Sequence, residues 1–467
     1  MKTTSPKTDA PAASFTRRAR ARLKEALAFV RLPRAPRVLA HACVCVTLLF
    51  AWALPGAREE SPPRSSAAPP APGEDEFDEA LRRAALSALG GREGTILALD
   101  AQTGRVRAVV NPRVAYEETF APGSTVKPFT LLEALREGVV GEGSRVVCRH
   151  SFRHEDFKIN CAHPPAKEAF GPAQALAVSC NYFFGRAGER VDGEALARTL
   201  AAYGFGARTG GGAAGEEAAG RIPSRERWRV SDALGESEQL LVTPAQLVSA
   251  YAALFNGGRL FAPRVARAEG FSPQVRARLE VEDEYRKLLV EGMRGAVAYG
   301  SAARADLNTL PAYVFGKTGT STPPGDFRTQ GWFVGFAAER GAGGEVSAES
   351  VGLAVLVFLK RGHGSDAAEV ARGVFREHAR VAELRRAAAA SSSRAEGEGA
   401  AERARGEVDE GRADSPQAGA GSTVVRVHLS RADRTLVLPL DEYVFGVVAA
   451  EGSVEDEFEA LKAQSVV

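Results

Sequence analysis

The stretch Pro122-Gly123-Ser124-Thr125-Val126-Lys127-Pro128-Phe129, running on through Thr130 to Leu135, decides how the rest of the chain is read. Gly123 breaks the preceding chain, and Leu131, Leu132 and Leu135 fall at helical spacing, which predicts a helix starting at Ser124 with Lys127 one turn on. Residues three apart share a helix face, so the Lys127 amine is expected to reach the Ser124 hydroxyl and take its proton. Helix-start amides and the positive end of the dipole also favour negative charge developing there. A serine beside a desolvated lysine is a nucleophile with a built-in base.

By ordinary residue frequencies a bare S-x-x-K arises roughly once by chance in a chain this size. Order and company give it weight. Downstream stand Ser179-Cys180-Asn181 and then Lys317-Thr318-Gly319-Thr320. The basic residues here are overwhelmingly Arg, which cannot give up its proton, so Lys at both positions is informative. Alone, Ser179-Cys180-Asn181 would be a turn cap and Lys317-Thr318-Gly319 a solvated turn; only the conjunction defeats those readings.

S-x-x-K, S-x-N and K-T-G in that order make the penicilloyl-serine transferase signature. From about Gly94 to Phe375 the chain resembles the transpeptidase domain of penicillin-binding proteins. The connecting phrases are similar too: Val242-Thr243-Pro244 with Asn256-Gly257-Gly258, Gly292-Met293-Arg294, and Gly331 to Phe336. The resemblance implies an α+β fold of the penicillin-binding transpeptidase and β-lactamase type, an antiparallel sheet flanked by helices. It implies Ser124 as nucleophile, Lys127 as base, Ser179 as proton relay and Asn181 as donor to substrate and Lys127. Lys317 would supply fixed positive charge, Thr318 and Thr320 would bind a terminal carboxylate, and Gly319 would let the backbone come close. The amides of Ser124 and Thr320 would form an oxyanion hole. No cofactor and no metal are expected for this chemistry.

The chain has 467 residues, 45% of them apolar, enough for two or three domains with a real core. A net charge of +2 makes no case for nucleic acid. Residues 1–37 carry ten Lys and Arg against only Asp9 and Glu25, and read as a cytoplasmic tail. Residues 38–54 are apolar without formal charge, and the basic lead favours a retained transmembrane helix over a signal peptide, with the body outside in the periplasm. Residues 55–92 form a linker, rich in Pro, Ser and Ala, with a helix expected from Glu76 to Leu89. The linker is too short for the pedestal of class B penicillin-binding proteins or for a glycosyltransferase domain, so a separate glycan polymerase is expected as a partner.

Residues 93–386 would be the transpeptidase domain, opening on a hairpin from Gly94-Thr-Ile-Leu-Ala-Leu-Asp100 and Arg105 to Val110. Between Val146 and Pro165 stand Cys148, His150, His154, Cys161 and His163. Thiolates and imidazoles this close can hold zinc, but the spacing matches no common zinc pattern. A disulfide between Cys148 and Cys161 is the expectation, given an extracytoplasmic body and the cysteines flanking this hairpin in similar proteins. Cys180 reads as a small buried residue. Gly204 to Arg221 is a glycine- and alanine-rich loop holding no assignable water-activating Glu, so a long-lived acyl-enzyme is expected.

Asp366 to Ala389 is a helix with Ser365 as N-cap, and residues 387–422 form a disordered linker. Residues 423–467 resemble the opening of the stage II sporulation protein D (SpoIID/LytB) family, which places Glu451 at that family's catalytic acid, although Gly452 replaces the usual Met. About 45 residues cannot build that domain, so this is an incomplete fragment.

The expected function is that of an anchored D,D-transpeptidase crosslinking peptidoglycan stem peptides and acylated by β-lactam antibiotics. Its rivals are a D,D-carboxypeptidase or β-lactamase on the same serine, and a non-catalytic β-lactam sensor or wall-binding module.

Overall fold

The computed structural model describes residues 73–212, 217–323, 325–341, 343–406, 424–429 and 434–439. The chain divides into two units, 1–67 and 68–467, and every described residue belongs to the second. The basic tail, the span 38–54 and Glu451 lie outside the described residues. Among the described residues, no helix is long and apolar enough to cross a membrane.

The frame is a six-stranded sheet. Its strands are β1 (Gly94–Asp100), β2 (Arg105–Val110), β5 (Arg264–Val265), β6 (Tyr313–Ser321), β7 (Gln330–Ala338) and β8 (Val351–Leu359). They lie in the order β5-β2-β1-β8-β7-β6. All pairs are antiparallel except β2 with β5. Strands such as Val-Gly-Leu-Ala-Val-Leu-Val-Phe-Leu359 are apolar almost without alternation because helices cover both faces.

Successive side chains point to opposite faces, so each strand feeds two cores. Ile96, Ala98, Val355 and Val357 pack with Phe77, Leu81, Val374 and Phe375, which come from helices α1 (Glu74–Leu89) and α7 (Gly364–Gly406). Leu97, Leu99, Leu356 and Phe358 face the larger core built on α2 (Lys127–Arg136) and α5 (Pro244–Phe255). A small hairpin, β3 (Ser151–His154) with β4 (Phe157–Asn160), stands apart from the main sheet. After it come α3 (Pro172–Ala177) and α4 (Asn181–Gly188), and α6 (Asp283–Ala298) follows β5.

α5 shows how a sequence phrase becomes a fixed element. Thr243 Oγ1 accepts from the Gln246 N–H at 3.1 Å, and Gln246 Oε1 accepts from the Thr243 N–H at 2.8 Å, a reciprocal cap ahead of Pro244. All twelve residues of the helix are buried.

Two expectations need correction. α7 begins at Gly364, so Ser365 lies inside its first turn and the Asp366 carboxylate accepts from the His363 N–H at 2.8 Å. α7 also runs on through Gly406, into the stretch expected to be a disordered linker. The Ala, Glu and Arg of that stretch are strong helix formers that need no core to continue a helix already started. Beyond it, β9 (Val424–Leu429) and β10 (Arg434–Pro439) pair as an antiparallel hairpin.

Candidate active site

Ser124 sits in a short 3₁₀ turn, Gly123–Val126, and α2 begins only at Lys127. The helix start therefore falls three residues later than expected. Pro128 has no N–H and fits in a first turn, which fixes the boundary there. Gly123 has φ +54°, and a Cβ on it would lie 2.5 Å from the Thr320 carbonyl oxygen. A Cβ on Gly319 would lie 2.7 Å from Thr125 Cγ2 and 2.8 Å from the Pro122 carbonyl oxygen. Only glycine at both places lets the nucleophile turn lie directly on strand β6. From below, the Tyr251 hydroxyl of α5 donates to the Thr125 carbonyl at 2.5 Å.

Over this turn two lysines converge on one hydroxyl. Lys127 Nζ lies 3.3 Å from Ser179 Oγ and donates to the Ser179 carbonyl at 2.9 Å and to Asn181 Oδ1 at 2.5 Å. Lys317 Nζ donates to Ser179 Oγ at 2.9 Å and to the Thr318 carbonyl at 2.7 Å. Both lysines are fully buried. Among the described residues, no hydrogen bond joins Ser124 to Lys127. Ser179 itself has φ +54°, an uncommon conformation for a serine.

Burial drives the electrostatics. It pushes Lys127 down to about 8, while the nearby Glu236 carboxylate pulls the other way. It also holds Lys317 well below the usual lysine range, with the charge of Lys127 adding to the effect. Lys317 was expected to supply fixed positive charge, and its burial opposes that charge. Two desolvated amines sharing one hydroxyl disfavour carrying two charges.

The cavity above them has a volume of about 640 Å³ and is lined by Ser124, Ser179, Asn181, Thr318, Gly319 and Thr320, among others. The structure thus brings the three motifs to one cleft. Thr318 Oγ1 lies 2.5 Å from Ser301 Oγ, and Thr320 Oγ1 accepts from the Gly364 N–H at 3.0 Å. Asn181 Nδ2 donates to the Asn160 carbonyl at 2.7 Å. Ser301, Tyr299 and His363 also line the space, and no motif in the sequence announced them.

Glu236 was missed as well. It lines the same cavity, no described residue donates a hydrogen bond to it, and desolvation raises it to about 7 against the opposing charge of Lys127. Its place is set by its neighbour: the Gly235 carbonyl accepts from the Gly123 N–H at 3.1 Å. The only sequence signal was its position shortly before the Val242-Thr243-Pro244 phrase. A carboxyl in the cleft keeps the hydrolytic rivals in view.

The cysteines depart from expectation. Cys148 Sγ and Cys161 Sγ lie 3.6 Å apart, too far for the bond of about 2.05 Å in a disulfide. Both are free thiols, as is Cys180. Cys180 Sγ lies 3.4 Å from Cys148 Sγ and 3.8 Å from Cys161 Sγ, and His163 Nε2 is 3.5 Å from Cys148 Sγ. His154 turns away to Glu189, with its Nδ1 3.1 Å from Oε1.

The sequence profile of the penicillin binding protein transpeptidase domain matches residues 94–345, over half of the chain. Stage V sporulation protein D of Bacillus subtilis is 27% identical over 226 residues, which cover 46% of this chain and 34% of that protein. The peptidoglycan D,D-transpeptidase MrdA of Acinetobacter baumannii is 24% identical over 366 residues, covering 64% of this chain and 52% of its own length. The chain therefore spans about a third to a half of these relatives. The crystal structure of Pseudomonas aeruginosa PBP2 in complex with WCK 5153 superposes with a TM-score of 0.55 at 25% identity, covering 63% of this chain and 76% of that one. With motifs, sheet and cleft in agreement, the chain belongs to the penicillin-binding protein transpeptidase domain family.

Proposed function

We propose that the protein is a serine D,D-transpeptidase that crosslinks peptidoglycan stem peptides. The observation that carries the reading is Ser179 Oγ placed between the Lys127 and Lys317 amines in the cleft that Ser124 lines. Neutral Lys127 takes the Ser124 proton as Ser124 Oγ attacks the penultimate D-alanine carbonyl. The oxyanion is held by the Ser124 and Thr320 amides, where loss of one donor costs about 100- to 1000-fold. Ser179 hands the proton to the departing D-alanine amine, and an acceptor amine then resolves the acyl-enzyme. Thr318 and Thr320 hydroxyls receive the terminal carboxylate, and Asn181 orients the acyl side. β-lactams acylate the same serine.

Glu236 favours one second reading, a hydrolytic D,D-carboxypeptidase. A donor pentapeptide supplied with and without an acceptor amine separates the two by product: crosslinked dimer for the first, released D-alanine with tetrapeptide for the second.

The membrane reading goes with this proposal. Residues 38–54 would anchor the protein, its catalytic body extracytoplasmic, working beside a separate glycan polymerase. Residues 423–467 would contribute a SpoIID-like wall-associated element.

The assignment is tested by Ser124→Ala. Labelling by a fluorescent penicillin should vanish while circular dichroism and thermal unfolding stay as in the parent. Labelling retained by the variant would move the nucleophile elsewhere.

A further inference from the structure

We infer that Cys148, Cys161, His163 and Cys180 form a zinc site that holds the Ser179-Cys180-Asn181 turn in place. The four donor atoms lie within 4.8 Å of one another. The three sulfur pairs are separated by 3.4, 3.6 and 3.8 Å. Those spacings are too long for a disulfide and fit the edges of a tetrahedron with metal–sulfur bonds of about 2.3 Å, whose ideal edge is about 3.8 Å. Three thiolates with one imidazole in that shape are a zinc donor set, closed to further ligands and so structural in character.

The surroundings are built for thiolates. The His150 N–H donates to Cys148 Sγ at 3.3 Å, the Tyr182 N–H to Cys161 Sγ at 3.3 Å and the Phe183 N–H to Cys180 Sγ at 3.4 Å. His163 Nδ1 lies 2.7 Å from the Pro164 carbonyl, which can only accept. The proton therefore sits on Nδ1, and the Nε2 lone pair faces the sulfurs, as a metal-bound histidine requires. Binding takes Zn²⁺ from solution, releases the three thiol protons to solvent and leaves a centre of net charge −1.

The consequence for the cleft follows from chain position. Cys180 is the middle residue of the second motif and caps α4, so a metal–sulfur bond there fixes Ser179 on one side and Asn181 on the other. Ser179 is in the left-handed conformation that a free serine avoids. Ala162, His163 and Pro164 line the cavity, and Asn160 accepts from Asn181, so the metal loop is also a wall of the site. The metal touches no reacting atom in this account; it positions residues that do. The centre itself does not depend on Ser124 being the nucleophile.

The test uses the full chain, purified without chelator. Elemental analysis should find about one zinc ion per chain. Replacing zinc with Co²⁺ should produce the visible absorption of tetrahedral cobalt–thiolate, lost in Cys161→Ala and His163→Ala. Folded protein that fails to hold zinc or cobalt after exposure to excess ion would overturn the site. So would non-reducing peptide mapping that recovers Cys148 joined to Cys161.

Because a cysteine variant can simply misfold, the positioning role is read on the parent protein. Removing zinc with a chelator should slow fluorescent-penicillin labelling by about a hundred-fold, as expected for a displacement near 1 Å, and Zn²⁺ should restore it. Far-UV circular dichroism should hold steady throughout. An unchanged labelling rate in zinc-free folded protein would overturn the coupling to the second motif.

Discussion

Lys127 is the residue on which the chemistry turns, because only its neutral form accepts a proton. Burial brings it down to about 8, so it is mostly charged below that value and mostly a base above it. Penicillin acylation should therefore rise with pH through about 8. Glu236 opposes this by stabilising the ammonium, and it carries that charge above about 7. Glu236→Gln removes the charge, so the acidic limb of the acylation profile should move to lower pH. A stopped-flow acylation profile of both proteins checks the sign; an upward move would place Glu236 outside the reach of Lys127. Gly319→Ala makes a purely steric demand: its Cβ meets Thr125 Cγ2 at 2.7 Å and the Pro122 carbonyl at 2.8 Å, forcing the nucleophile turn off β6. Acylation should fall by about a hundred-fold or more while unfolding remains cooperative, a loss measurable by timed labelling. The three motifs were legible because their chemistry needs those residue types in that order. Glu236 was not, since a backbone hydrogen bond between Gly235 and Gly123, distant in sequence, is what brings it to the cleft.

At the scale of elements, α5 is the platform beneath the nucleophile. Tyr251→Phe keeps the ring but leaves the buried Thr125 carbonyl without the donor it now has at 2.5 Å. The variant should lose about 1–3 kcal/mol in denaturant unfolding, with a parallel loss of acylation rate. A neutral result would show that the turn is held by β6 alone. α5 could be read from Thr243-Pro244 and Asn256-Gly257-Gly258 because caps are local. The hairpin β1–β2 was equally plain from alternation. The cysteine cluster was not, because Cys180 joins Cys148 and Cys161 only after α3 and the hairpin β3–β4 have packed; an extracytoplasmic body and the resemblance suggested a pair where the fold makes a foursome. The end of α7 escaped for the opposite reason. A polar, alanine-rich helix shows no apolar stripe, so composition read as disorder what propensity carries on as helix.

The whole molecule joins a two-faced sheet, which fixes where the motifs meet, to segments whose reading rests on sequence. The proposed anchor makes a direct demand: the full chain should sediment with membranes and need detergent for extraction, while a chain lacking residues 1–54 should stay soluble. A full chain found soluble without detergent would remove the anchor from the account. The central claim is that Ser124 forms an acyl-enzyme and keeps it until an amine arrives. Intact-mass spectrometry of the purified protein, followed in time after brief exposure to benzylpenicillin, tests this most directly. A single penicilloyl adduct that maps to the Ser124 peptide and persists after free drug is removed is the predicted result. Absence of any adduct from folded protein, or an adduct on another peptide, would contradict it.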